Sequence, residues 1–157
     1  LLAQGSSYNM ATIPSSGQTL PTVGIGCRNY RGPENPQQAS EFRDTFATYR
    51  RLGGKIIDTS PNYGNSESVL GYLLKDLGLR DQVFMATKVD REDAADGRER
   101  MEGSFERLGP PIDLMQVHNL GDTDVHMRTI RDRQERGEIR YSGVTHYRPD
   151  KTAPKTQ

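Results

Sequence analysis

The sequence predicts an α/β fold of repeating strand-helix units, on two observations: five short apolar runs, and the regular distance between them. The runs VGIG (23–26), KIID (55–58), VFMAT (83–87), DLMQV (113–117) and IRYSGV (139–144) are rich in Val, Ile, Leu and Met and bounded by turn residues, the pattern of buried strands. Their starts lie 32, 28, 30 and 26 residues apart, with helical punctuation between them. Right-handed crossovers then leave an open doubly wound sheet or a (β/α)8 barrel, whose ~250 residues amount to about 31 per unit.

Each element has a local reason. Thr12–Ile13 and Thr19–Leu20 flank Ser15-Ser16-Gly17-Gln18 as a small hairpin, preceded by an N-terminal tail over 1–11. A helix from Pro36 to Leu52 places Phe42, Phe46 and Tyr49 at i, i+4 and i+7 and stops at Gly53-Gly54. The next begins at Asn65 or Ser66 and carries the stripe Val69, Leu70, Leu73, Leu74 and Leu77 up to Gly78. A third, Gly97 to Leu108, rests on Met101, Phe105 and Leu108 and ends at Gly109-Pro110-Pro111. The fourth, Thr123 to Arg136, has only Val125, Met127 and Ile130 to bury, and His126 on it reads as exposed. Residues 12–147 form one domain, and 148–157, with two prolines and no apolar face, a C-terminal tail.

Composition excludes several classes of function. Lys+Arg 21 balance Asp+Glu 21, so no global charge attracts nucleic acid or an acidic membrane, and no local patch replaces it. The run Arg98 to Arg107 is interleaved with Glu99, Glu102 and Glu106 and reads as a solvated helix face. No stretch approaches the roughly 18 apolar residues of a spanning helix, and the single Cys27 forms no internal disulfide. Cys27 reads as a small buried residue, and no Cys/His spacing suits a metal. An apolar share of 32% predicts a thin core, with polar Ser142 and Arg133 where apolar residues are expected. A lone cysteine without a secretory leader before Met10 points to the cytoplasm, and the opening Leu-Leu-Ala-Gln-Gly to a periplasmic alternative after cleavage of an export signal.

In either architecture the carboxyl ends of the strands carry the chemistry. There stand Asp58 and Tyr63, then Lys88, then His118, then Thr145 and His146. Singly, each has an ordinary reading: a loop cap, a loop aromatic, a paired cation, a satisfied imidazole. Their joint placement on successive strand ends suits proton transfer. A phenol is a poor acid at neutral pH until its phenolate is stabilised. Lys88 supplies the cation, Asp58 neutralises and fixes it, His118 orients a carbonyl oxygen, and Tyr63 protonates the developing alkoxide. An amine beside Asp58 and Tyr63 also suits a Schiff-base, aldolase-like barrel. A non-catalytic fragment or interaction module is the non-enzymatic alternative. No GxGxxG opens a helix, so a Rossmann site has no support.

Four blocks, LPTVGIGC (20–27), IIDTSPNYGNSESVLGYLL (56–74), FMATKV (84–89) with DLMQVHN (113–119), and GEIRYSGVTHY (137–147), resemble the aldo/keto reductase superfamily. The Asp-x4-Tyr-Gly-x-Ser-Glu core at 58–67 is the most specific. The resemblance implies a (β/α)8 barrel of the TIM type, reduction of a small carbonyl substrate with NADPH, and a catalytic tetrad of Asp58, Tyr63, Lys88 and His118. It further implies that Gly26, Cys27 and Asp58 lie along the cofactor, and that Thr145 and His146, where the family commonly has Ser and Asn, face the nicotinamide carboxamide. Arg28 stands where an aromatic residue often follows. About five of eight units have counterparts. The last three strands, with the loops that hold the cofactor's phosphates and adenine, have none, so an incomplete barrel with weak NADPH binding, little turnover and self-association through open sheet edges is expected.

Overall fold

The computed structural model describes residues 8–28 and 42–147. The apolar runs form β3 (Gly24–Gly26), β4 (Ile56–Asp58), β5 (Phe84–Val89), β6 (Ile112–His118) and β7 (Ile139–Thr145), one five-stranded parallel sheet in chain order. Ahead of it, β1 (Met10–Thr12) and β2 (Thr19–Pro21) pair antiparallel. The connections carry α1 (Arg43–Arg51), α2 (Ser66–Asp76), α3 (Ala94–Leu108) and α4 (Thr123–Glu135). Among the described residues no strand pairs with the outer edge of β3 or β7.

Two apolar clusters hold the helices to the sheet. In one, the α2 stripe Val69, Leu70, Leu73 and Leu74 packs with Phe46 of α1 against Ile57 and Met85. In the other, Met101 and Phe105 of α3 and Ile130 of α4 pack against Val89, Met115 and Val117. Each fully buried aliphatic side chain contributes about 1.5–3 kcal/mol. Helices α2 and α3 approach so closely at Gly71 that a Cβ there would lie 1.8 Å from the Arg107 carbonyl oxygen.

The same interface contains a buried acid. Glu67 of α2 accepts hydrogen bonds from Thr87 Oγ1 at 2.6 Å, Ser104 Oγ at 3.0 Å and Arg107 Nε at 2.9 Å. It therefore joins α2, β5 and α3, and its charge is both paired and hydrogen-bonded, as burial demands. At the opposite end of the sheet, Tyr141 Oη lies 2.7 Å from Ser16 Oγ and 2.8 Å from Gln18 Oε1, latching the hairpin to β7.

Several elements differ from the sequence-based expectation. Strand β1 begins at Met10, inside the segment read as a tail, because Met10 and Ala11 find partners in Pro21 and Leu20. Of the helix expected over 36–52, the part before Phe42 lies outside the described residues, as does the tail over 148–157. Helix α3 starts at Ala94, three residues early, since the Asp93 side chain accepts from Asp96 N and caps it. His126 is fully buried, not exposed: α4 seats it against Gly97 of α3, and its Nε2 donates to the Arg91 carbonyl. Arg133 is buried as well, paired with Glu102 and Glu138 and lying 4.9 Å over the Phe105 ring. Helix α4 thus buries more than its few apolar residues imply. Arg107 leaves the supposedly solvated face of α3 to meet Glu67.

Candidate active site

Parallel strands in register bring their carboxyl ends to one rim, where Asp58 aligns with Ala86, Lys88 with Gln116, and His118 with Thr145. Side chains alternate across a strand, so Thr87 faces the helices and bonds Glu67 while Lys88 points the other way. Lys88 is only 5% exposed, and its Nζ donates to Asp58 Oδ2 at 2.8 Å and to the Thr59 carbonyl at 2.7 Å. Gln116 Nε2 donates to the other oxygen, Asp58 Oδ1, at 3.2 Å. The carboxylate is therefore held from two strands.

Tyr63 follows Asp58 on the loop before α2, and its ring lies beneath the ammonium, 5.2 Å from Lys88 Nζ to the centroid. The ring meets His118 edge to face at 6.3 Å and 85°. Asn62 Nδ2 stands 3.5 Å from His118 Nδ1. Burial first, and then the Lys88 ammonium, hold the His118 imidazole below its ordinary pKa, against the pull of Asp90 and Asp58. A neutral imidazole at pH 7 is suited to hydrogen-bonding a carbonyl oxygen.

These groups border a cavity of about 640 Å3. Thr145, His146 and Tyr147 line its far side, and Arg28 and Asn119 complete the rim. Among the expected site residues, the structure gathers Asp58, Tyr63, Lys88, His118, Thr145 and His146 around one cavity. Gly26 and Cys27 are not part of its lining. The Cys27 N–H donates to the Asp58 carbonyl at 2.8 Å and the Cys27 carbonyl accepts from Ser66 Oγ at 2.8 Å, so its backbone already serves the fold. Burial, then Asp58, pushes the Cys27 thiol up to about 12, which makes it inert as a nucleophile at neutral pH.

Sequence reasoning missed Gln116 and Asn62. Gln116 lies two residues before His118 on the same strand, and period-two alternation is the signal that places both on one face. The Schiff-base alternative is less well served by the geometry, because two of the three Lys88 N–H donors already go to Asp58 and the Thr59 carbonyl. A separate groove of about 480 Å3 runs along α3, where Arg91, Arg100 and Arg107 stand among the four carboxylates of Asp96, Glu99, Glu102 and Glu106, leaving no excess of positive charge.

The family model for the aldo/keto reductase family matches residues 22–153. The chain belongs to that family. An NADP(+) aldo-keto reductase of Schizosaccharomyces pombe, yakc, is 28% identical over 145 residues, 81% of this chain and 43% of that protein. The 2,5-diketo-D-gluconic acid reductase B of a Corynebacterium species is 28% identical over 88% of this chain and 50% of its own length. The chain thus spans about half the length of these curated relatives. Among solved structures, an aldo-keto reductase from Bacillus halodurans superposes with a TM-score of 0.70 and 26% identity over 92% of this chain and 50% of that one. An aldo/keto reductase from Klebsiella pneumoniae, solved with NADP and acetate, shares the fold with a TM-score of 0.73 at 24% identity, over 85% of this chain and 48% of that one. The five parallel strands are five units of the (β/α)8 barrel that these aldo/keto reductases share.

Proposed function

We propose that this aldo/keto reductase chain carries the proton-transfer side of an NADPH-dependent reduction of an aldehyde or ketone to an alcohol. One observation supports the reading above all: Tyr63, Lys88, Asp58 and His118 border a single cavity at the ends of successive strands. A cavity of about 640 Å3 suits a nicotinamide ring together with a small carbonyl compound, and Thr145 and His146 offer it hydrogen-bonding groups for a carboxamide. NADPH, when bound, supplies the hydride that the carbonyl carbon accepts.

The chain's own residues handle the proton. His118, neutral, donates a hydrogen bond to the carbonyl oxygen and aims it at Tyr63. Tyr63 protonates that oxygen as it becomes an alkoxide, and Lys88 stabilises the phenolate left behind. Asp58 neutralises Lys88, and Gln116 positions Asp58 by holding its second oxygen. Phosphate and adenine contacts dominate dinucleotide affinity, and among the described residues Arg28 is the one full cation on the cavity lining that is not already paired. Assayed by itself, the 157-residue chain is therefore expected to bind NADPH weakly and turn over slowly.

A sensitive test is transfer of label from NADPH deuterated at its transferable position to the carbonyl carbon of an aldehyde, read by mass spectrometry after long incubation. Labelled alcohol that accumulates at millimolar cofactor is the expected result. No labelled alcohol would overturn the reductase reading, and saturation at low-micromolar NADPH would overturn the weak binding. That among the described residues no strand pairs with the outer edges of β3 and β7 supports association of the chain with itself through those edges. Sedimentation at micromolar concentration is expected to show larger species, and a monodisperse monomer counts against them.

A further inference from the structure

Deepening the reductase reading, on which it rests, we propose that Arg28 is an anion-binding residue of the site and that the carbonyl compounds it takes carry a carboxylate.

The position of Arg28 is set by its neighbour. Cys27 is clamped at both backbone groups, by the Asp58 carbonyl and the Ser66 hydroxyl, and its thiol is fully buried in the core. The next side chain is directed away from that core, and Arg28 lines the cavity with Lys88, His118 and His146. Ser66 Oγ is itself 3.1 Å from Thr59 Oγ1, so the clamp is tied to the loop that follows Asp58. The guanidinium therefore stems from a fixed point on the rim.

Its charge has no carboxylate counterpart among the described residues. Other cations of the described residues have carboxylates: Lys88 has Asp58, and Arg91 and Arg100 share Asp90. Among the described residues Arg28 makes no ion pair, and Asp58 is the only acid on the cavity lining. Both oxygens of Asp58 are already engaged, by Lys88 and Gln116. Among the described residues the cavity lining thus presents one unpaired positive charge beside the reacting groups, close enough to contribute to the lowered pKa of His118. A guanidinium fork matches a carboxylate in two parallel hydrogen bonds, and a charge-assisted pair discriminates strongly against an uncharged analogue. Beside the Tyr63 and Tyr147 rings, the remaining wall carries the polar groups of Asn62, Asn119 and Thr145, and none of these supplies a second charge.

The test compares carboxybenzaldehyde with benzaldehyde, which differ only in the carboxylate, on the wild-type chain, Arg28→Gln and Arg28→Lys. Binding is followed by nuclear magnetic resonance at the His118 ring and needs no turnover. The carboxylate compound is expected to bind about 10-fold tighter or more, with the preference falling to near unity in Arg28→Gln and partly kept in Arg28→Lys. Bound carboxylate is expected to raise the His118 titration midpoint, as is Arg28→Gln without ligand, because each removes positive potential from the imidazole. Equal affinity for the two compounds, binding of neither, or a preference undiminished in Arg28→Gln would overturn the proposal. So would a weaker NADPH affinity in Arg28→Gln with the aldehyde preference unchanged, which would assign Arg28 to a cofactor phosphate. Deuterium transfer to both aldehydes with no carboxylate preference removes this subsite and leaves the reductase. A carboxylate preference in binding with transfer to neither removes the reductase and leaves the anion site.

Discussion

Tyr63→Phe is expected to slow deuterium transfer to an aldehyde by about 100- to 10,000-fold, the range of a positioned general acid. The substitution removes only the hydroxyl. The ring that packs 6.3 Å from His118 and 5.2 Å beneath Lys88 Nζ is kept, so the fold and cavity are retained. What is lost is the one proton source that the Lys88 cation can activate. His118 does not replace it, since its imidazole is held neutral by burial and by Lys88 and gives up a proton reluctantly. Measurement of labelled alcohol in parallel reactions checks this, and transfer at an unchanged rate would show that the proton comes from elsewhere.

The largest effect on stability is expected from Gly71→Ala. In an ordinary helix this change stabilises by roughly 1 kcal/mol. Here the sign reverses, because the new Cβ would stand 1.8 Å from the Arg107 carbonyl oxygen, far inside contact distance. The obstacle is backbone, and no rotamer change relieves it, so α2 and α3 must separate. Separation loosens the contact of Glu67 with Ser104 and Arg107, leaving a buried carboxylate short of partners. A loss of about 3 kcal/mol, at the upper end of overpacking costs, is expected in urea denaturation. A loss below about 1 kcal/mol would mean that the two helices adjust without cost.

How much of this was legible in the sequence depends on the kind of interaction. The runs 83–87 and 113–117 announce β5 and β6 because strands covered by helices are nearly continuous in apolar residues. Four of the groups around the cavity are legible for a related reason, since strand ends converge and Asp58, Lys88, His118 and Thr145 are each the polar residue at such an end. Burial of polar side chains is not legible in this way. His126 is hidden by a vacancy opposite it, and the vacancy exists only because residue 97 is glycine. Arg133 is buried because Glu102 on another helix and Glu138 beyond its own come to meet it. Local pattern carries no record of such partners. Arg28 is visible in the sequence just after the first strand, but that it has no carboxylate among the described residues depends on long-range pairings, such as Asp58 with Lys88, that local pattern does not record.

The latch between the hairpin and Tyr141 has a kinetic meaning. It joins Ser16 to a residue 125 positions later in the chain, so closing it costs more loop entropy than any contact between adjacent βα units. Contacts between neighbouring strands span about one unit and can form early, each extending the sheet by one strand. Strand β7 must dock on β6 before Tyr141 stands where the hairpin can reach it. The hairpin is thereby expected to become fixed late in the order of assembly. Protection of its amide hydrogens against exchange with solvent is accordingly expected to report the docking of β7 on β6.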